Sequence, residues 1–229
     1  MIPIRDENPT VRTPYVTVGL IIVNCLIFVY QVLLGPDGEN FVLSLAAIPA
    51  ELFHFQERPP DAAVPAWLTV VTSMFLHGSV LHLGGNMLYL WVFGNNIEDV
   101  LGHGRFALFF VVTGALAALS HALTAPASTM PMIGASGAIS GVLGAYVLLF
   151  PSVRVQVVIP IGIFPYMVHV PAVIVLGFWI AMQSLNAIFN IGGPEGGVAW
   201  SAHVGGFLAG LLLIKVFAPR SLIAKEVIR

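Results

Sequence analysis

The sequence predicts an all-α polytopic membrane protein: six transmembrane helices in one bundle, with a short central fourth helix. Three observations predict it. Of 229 residues, 58% are hydrophobic and only 9% charged, where a soluble domain carries about 25% charged residues. So few charges cannot cover a globule of this size, and the apolar area left bare would drive association. The charges are also spaced: no Asp, Glu, Lys or Arg occurs within 13–36, 79–97, 106–153, 155–194 or 196–214. A helix needs about 20 apolar residues to cross a ~30 Å hydrocarbon core. Finally, Lys and Arg fall almost wholly on alternate connections, the pattern of a chain that crosses back and forth. The same composition excludes a disordered chain and, with a net charge of −2 and no basic run, a nucleic-acid binder. Cys25 is the single cysteine, so no internal disulfide can form.

Taken in order, span one covers 14–34; it is longer than a signal-peptide core and no convincing cleavage site follows, so it is expected to persist as a mature span. The first outer connection, 35–77, is long and Pro-rich. Its stretch 41–55 is amphipathic, and Leu52, Phe53, Phe55 and Trp67 suit partial embedding in the outer leaflet. Spans two and three are expected at 79–97 and 106–124. Span four, 136–150, would rise about 22 Å, roughly 8 Å short of the hydrocarbon core. Spans five and six are expected at 167–190 and 199–217. An inner N-terminus puts Arg5, Arg12, Arg105, Arg154, Lys215, Arg220, Lys225 and Arg229 on the inner side and only Arg58 outside. The expected organisation is one membrane domain over 1–229: a cytoplasmic segment 1–13, a core 14–217 and a cytoplasmic tail 218–229. The expected location is a bacterial cytoplasmic membrane with both termini inside.

Polar side chains at membrane depth are costly and face a cavity or a partner. Spans two, four and six run the same way, so residues near their starts share a level. His82 and Asn86 open span two on one helical face, Ser136 opens span four, and His203 lies near the start of span six. Span four has a small face, with Gly137, Gly141, Ser136, Ser140 and Gly144, and span six carries Gly206 and Gly210 in GxxxG spacing, which permits close backbone approach in lipid. Packing of these faces would bring Ser136 and His203 within reach as nucleophile and general base. His82, Asn86 and the Ser136 N–H would then be oxyanion donors. Taken alone, Ser136 would more ordinarily be back-bonded to its own helix. It is the constellation that carries the reading.

His82-x-x-x-Asn86 in span two, Gly134-Ala-Ser136-Gly137 at the head of span four and Ala202-His203-Val-Gly-Gly206-Phe-Leu-Ala-Gly210 in span six resemble the rhomboid intramembrane serine proteases in their six-span bacterial form. The resemblance implies an endopeptidase that cuts membrane proteins in or near their transmembrane segments, with Ser136 as nucleophile, His203 as base, no acidic third member, and His82 and Asn86 at the oxyanion. It also implies that His77 supports the loop entering span two. Many members carry an aromatic residue four positions after the serine, to stack on the imidazole; here Ser140 stands there, and other rings would have to replace it. The family's Trp-Arg pair of the first loop is half present, as Trp67-Leu68. Phe178 and Trp179 on span five are candidates for a lateral gate facing span two. His54, His103, His121 and His169 are read as structural or interfacial.

The expected partners are transmembrane protein substrates and the bilayer, with no metal, cofactor or nucleic acid. Two rivals belong to other classes. A metal transporter or metalloenzyme could use His77, His82, His121 and His203, although no midplane carboxylate accompanies them. A catalytically inactive rhomboid-like protein could bind membrane clients; such relatives usually lack the serine or the histidine, and both are present here.

Overall fold

The helices form where the apolar runs are, and polar side chains bind the opening amides of two of them. The computed structural model describes residues 1–60, 62–162, 164–189 and 199–218. Helix α1 (Tyr15–Leu33) begins with its first-turn amides bound by a carboxylate from another helix: Glu98 accepts from the Val16 N–H at 2.9 Å and from the Thr17 N–H and hydroxyl at 2.8 and 2.7 Å. Three short helices fill the first connection: α2 (Gly38–Leu45), α3 (Pro49–Leu52) and α4 (Ala66–Thr72). Arg58 ties this loop by pairing with Glu51 and donating to the Val64 carbonyl. Trp67 and Phe55 stand exposed on it.

Helix α5 (Val80–Leu101) starts at Ser79, whose hydroxyl caps the His82 N–H. It runs beyond the expected end at 97, because Glu98 is buried as the cap of α1 rather than left in water. Gly102, at a φ of 74°, turns the chain into α6 (His103–Thr124). The short α7 (Ser136–Leu149) is buried along nearly its whole length, among α5, α6 and α9. Helices α8 (Ala172–Phe189) and α9 (Trp200–Phe217) complete the bundle.

Among the described residues, four of these helices, α1, α6, α8 and α9, are long and apolar enough to cross a membrane, and a fifth crossing results if the 66–75 and 80–101 helices, bent by 84° at their break, count as one. Helix α7 is apolar but too short to cross alone. The chain is thus a mostly helical, polytopic integral membrane protein.

The all-α expectation needs one correction. Strand β1 (Ile2–Asp6) pairs antiparallel with β2 (Arg154–Ile161), which pairs antiparallel with β3 (Phe164–Pro171). Span five therefore starts at Ala172, not at 167. The apolar run from 155 looked continuous, yet Val155 and Val157 point to the core in a period of two, and Gly162, at a φ of 61°, makes the hairpin turn. The sheet sits at the far end of the bundle from Ser136: buried Asp6 accepts from the Tyr146 hydroxyl at 2.6 Å and the Asn96 amide at 2.8 Å. The expected end of span five at 190, and Arg220, Lys225 and Arg229, lie outside the described residues.

Candidate active site

Glycine against glycine brings α7 and α9 together. A Cβ added to Gly206 would stand 2.2 Å from the Gly137 carbonyl oxygen, and one added to Gly210 would stand 1.9 Å from that of Gly141. These contacts advance by one turn on both helices, so α7 and α9 run parallel in a single register. His203, three residues before Gly206, therefore stands level with Ser136, one residue before Gly137. Ser136 Oγ and His203 Nε2 lie 2.8 Å apart. His203 is buried.

Ser136 is the first residue of α7, where the opening N–H groups have no partner within the helix and the dipole is positive. The turn that delivers it needs Gly134: its φ of 118° suits glycine, and a Cβ there would stand 2.7 Å from His82 Nε2 and 3.5 Å from Asn86 Nδ2. His82 and Asn86 therefore face that turn. His77, buried where the loop enters α5, accepts at Nε2 from Asn86 Nδ2 at 2.9 Å. An amide nitrogen carries two hydrogens, which leaves the second for another acceptor. His77 is itself clamped by Gln31 of α1, which donates to its carbonyl and accepts from its N–H. The His77 and His82 rings meet edge to face, with centroids 5.0 Å apart.

Ser140 turns back to its own helix and donates to the Ser136 carbonyl at 2.6 Å. Rings reach the His203 imidazole from elsewhere: Trp179 of α8 lies at 5.8 Å and 38°, and Trp200 of α9 at 6.1 Å and 86°. Trp179 also approaches Tyr89 of α5 and Phe207 of α9, each at 6.4 Å, while Phe178 is exposed.

Sequence reasoning missed Gln183. Its Oε1 lies 2.7 Å from His203 Nδ1. An amide oxygen only accepts, so Nδ1 carries the proton, and that tautomer leaves Nε2 free to accept from the Ser136 hydroxyl. The signal was present: Gln183 is a polar residue inside an uncharged run, one helical turn beyond Trp179.

The remaining histidines lie apart from this pair. His121 bonds Ser201 Oγ at 2.5 Å, His103 bonds Glu98 at 2.6 Å, His169 stands 3.6 Å from Glu7, and His54 sits in the first connection at a φ of 60°. Among the described residues, no three His, Cys, Asp or Glu side chains gather as metal ligands.

Fold and site together define a class: polytopic helical membrane proteins in which a serine at the head of a buried helix meets a histidine across a glycine seam. The chain belongs to the rhomboid family, and the family model of the Rhomboid domain matches residues 65–220. It is 32% identical over 193 residues to Rhomboid protein 1, mitochondrial, of Saccharomyces cerevisiae, an alignment covering 76% of this chain and 52% of that protein. It is 34% identical over 139 residues to Rhomboid protease GluP of Bacillus subtilis, covering 61% and 26%. With the presenilin-associated rhomboid-like protein, mitochondrial, of Mus musculus the identity is 28% over 200 residues, covering 78% and 48%. The chain spans about half or less of the length of these relatives.

Proposed function

We propose that the protein is an intramembrane serine endopeptidase that cleaves peptide bonds in or near transmembrane segments of membrane proteins. The observation that carries this reading is the 2.8 Å contact between Ser136 Oγ and His203 Nε2 at the start of a buried helix. Family membership, and a relative that is itself a protease, support it.

The substrate helix first unwinds locally, since a helical peptide bond is shielded by its own turn. Ser136 Oγ attacks the carbonyl carbon as its proton passes to His203 Nε2. The carbonyl oxygen becomes an oxyanion, held by the Ser136 N–H, the His82 ring and the Asn86 amide. Collapse breaks the C–N bond, the proton moves from His203 to the leaving amine, and an acyl-enzyme remains. Water then gives a proton to His203 and attacks the ester, which releases the carboxylic acid and returns the proton to Ser136. No step uses a metal or cofactor, so a chelator leaves the rate unchanged.

In this reading α7 acts as the short fourth of six spans, both termini face the cytoplasm, residues 1–229 form one membrane domain, and the membrane is the bacterial cytoplasmic one. Phe178 and Trp179 border the lateral path by which a substrate helix enters between α5 and α8. The test is cleavage of a single-span model substrate by the wild type and by Ser136→Ala. Loss of cleavage in the variant is expected, and equal cleavage by both would sink the mechanism. A wild type that binds the substrate without cutting it would favour a client-binding role.

A further inference from the structure

We propose that Gln183 is a positioning residue for His203, so that α8 holds the base in its working tautomer through Gln183 and Trp179 together. The proposal rests on the serine-protease reading above. Helix α8 is sparsely buried: Phe178, Met182 and Leu185 are exposed, while Ala172, Val175, Leu176 and Gln183 form its buried face. On that face Trp179 and Gln183 are one turn apart. The first lays its ring against the imidazole, and the second accepts the Nδ1 proton at 2.7 Å.

Each contact does a separate job. An imidazole proton fixed on Nδ1 leaves Nε2 unprotonated toward Ser136, the only form that can take the hydroxyl proton. The ring contact limits rotation about the side chain's bonds. Helix α7 supplies neither, because Ser140 is small and spends its hydroxyl on the Ser136 carbonyl. The orienting role that a carboxylate plays in a Ser-His-Asp triad falls here to a neutral amide. Any displacement of α8 from α9 therefore disarms the base as well as widening the path beside it.

The test compares the wild type, Gln183→Met and Gln183→Glu in cleavage of a single-span substrate, in labelling of Ser136 by a fluorophosphonate, and in thermal unfolding. Met matches the shape without an acceptor, and Glu restores the acceptor. Gln183→Met should lower kcat about 10- to 100-fold, the worth of one buried hydrogen bond, with KM little changed and the fold retained at a modestly lower melting temperature. Labelling should slow in proportion, and Gln183→Glu should recover most of both rates. Wild-type rates in Gln183→Met, or equal losses in Met and Glu variants that follow a drop in melting temperature, would overturn the proposal. Nitrogen-15 NMR of the His203 ring decides the case separately from activity. The Nδ1–H form should dominate in the wild type and give way to a mixture in Gln183→Met, and an unchanged ring would overturn the proposal. If Ser136→Ala cleaves as well as the wild type, the protease reading fails while this tautomer measurement still stands.

Discussion

Ser136, His203, His82 and Asn86 were legible as residues because each is a polar group in an apolar run, where the cost of burial demands a reason. The glycines were legible for the complementary reason: small residues at GxxxG spacing mark where backbones touch. Gln183 was not, since a single amide with no spaced partner looks like any other polar residue facing another helix. The seam makes a quantitative prediction. Gly206→Ala places a methyl group 2.2 Å from the Gly137 carbonyl oxygen, so α9 must move out, and a misplacement near 1 Å costs about 100-fold in rate. Gly19→Ala, where nothing lies within 4 Å of the added methyl, should leave activity and melting temperature unchanged. Similar rates for the two variants would mean that the seam does not set the Ser136–His203 distance.

Elements were legible where apolar length alone decides them and illegible where a distant group does. The end of α5 is hidden in the sequence because Glu98 looks like a boundary, yet its carboxylate binds the first turn of α1, 81 residues away. Glu98→Ala strips that cap and leaves the Val16 and Thr17 amides unpaired, for an expected loss of about 2 kcal/mol. Unfolding in detergent measures it, and an unchanged midpoint would refute the capping role. The hairpin of β2 and β3 was hidden for a different reason: its residues are as apolar as a span, and only the alternation of Val155 and Val157 distinguishes it. On α8, Trp179 separates two uses of one ring. If it mainly steadies His203, Trp179→Ala slows cleavage and Trp179→Phe restores it in part. If it mainly closes the lateral path, Trp179→Ala speeds cleavage. The contact with the imidazole leads us to expect the slowing.

Across the whole molecule, polar groups do at the two ends what apolar packing cannot do alone. At one end they line the candidate site. At the other, Asp6 of the N-terminal strand joins α7 through Tyr146 and α5 through Asn96, a link over 140 residues that no local pattern announces. Burial raises the Asp6 carboxyl above its ordinary value of 3.8, against the lowering effect of the Tyr146 and Asn96 hydrogen bonds and of Arg5. The folded state therefore holds this proton more tightly than the unfolded chain, and the contribution of Asp6 to stability declines as pH rises from the ordinary carboxylate value through the raised one. Asp6→Asn keeps an acceptor oxygen without the titration. The melting temperature of the wild type relative to this variant should fall with rising pH over that interval, and parallel curves would contradict the assignment.

The central claim is that Ser136, activated by His203 inside the membrane domain, cuts peptide bonds. Cleavage of a single-span substrate reconstituted in liposomes with the wild type, Ser136→Ala and His203→Ala tests it most directly. Turnover by the wild type that both variants lose, and that a chelator leaves intact, is the predicted result; equal turnover by the wild type and Ser136→Ala would contradict it.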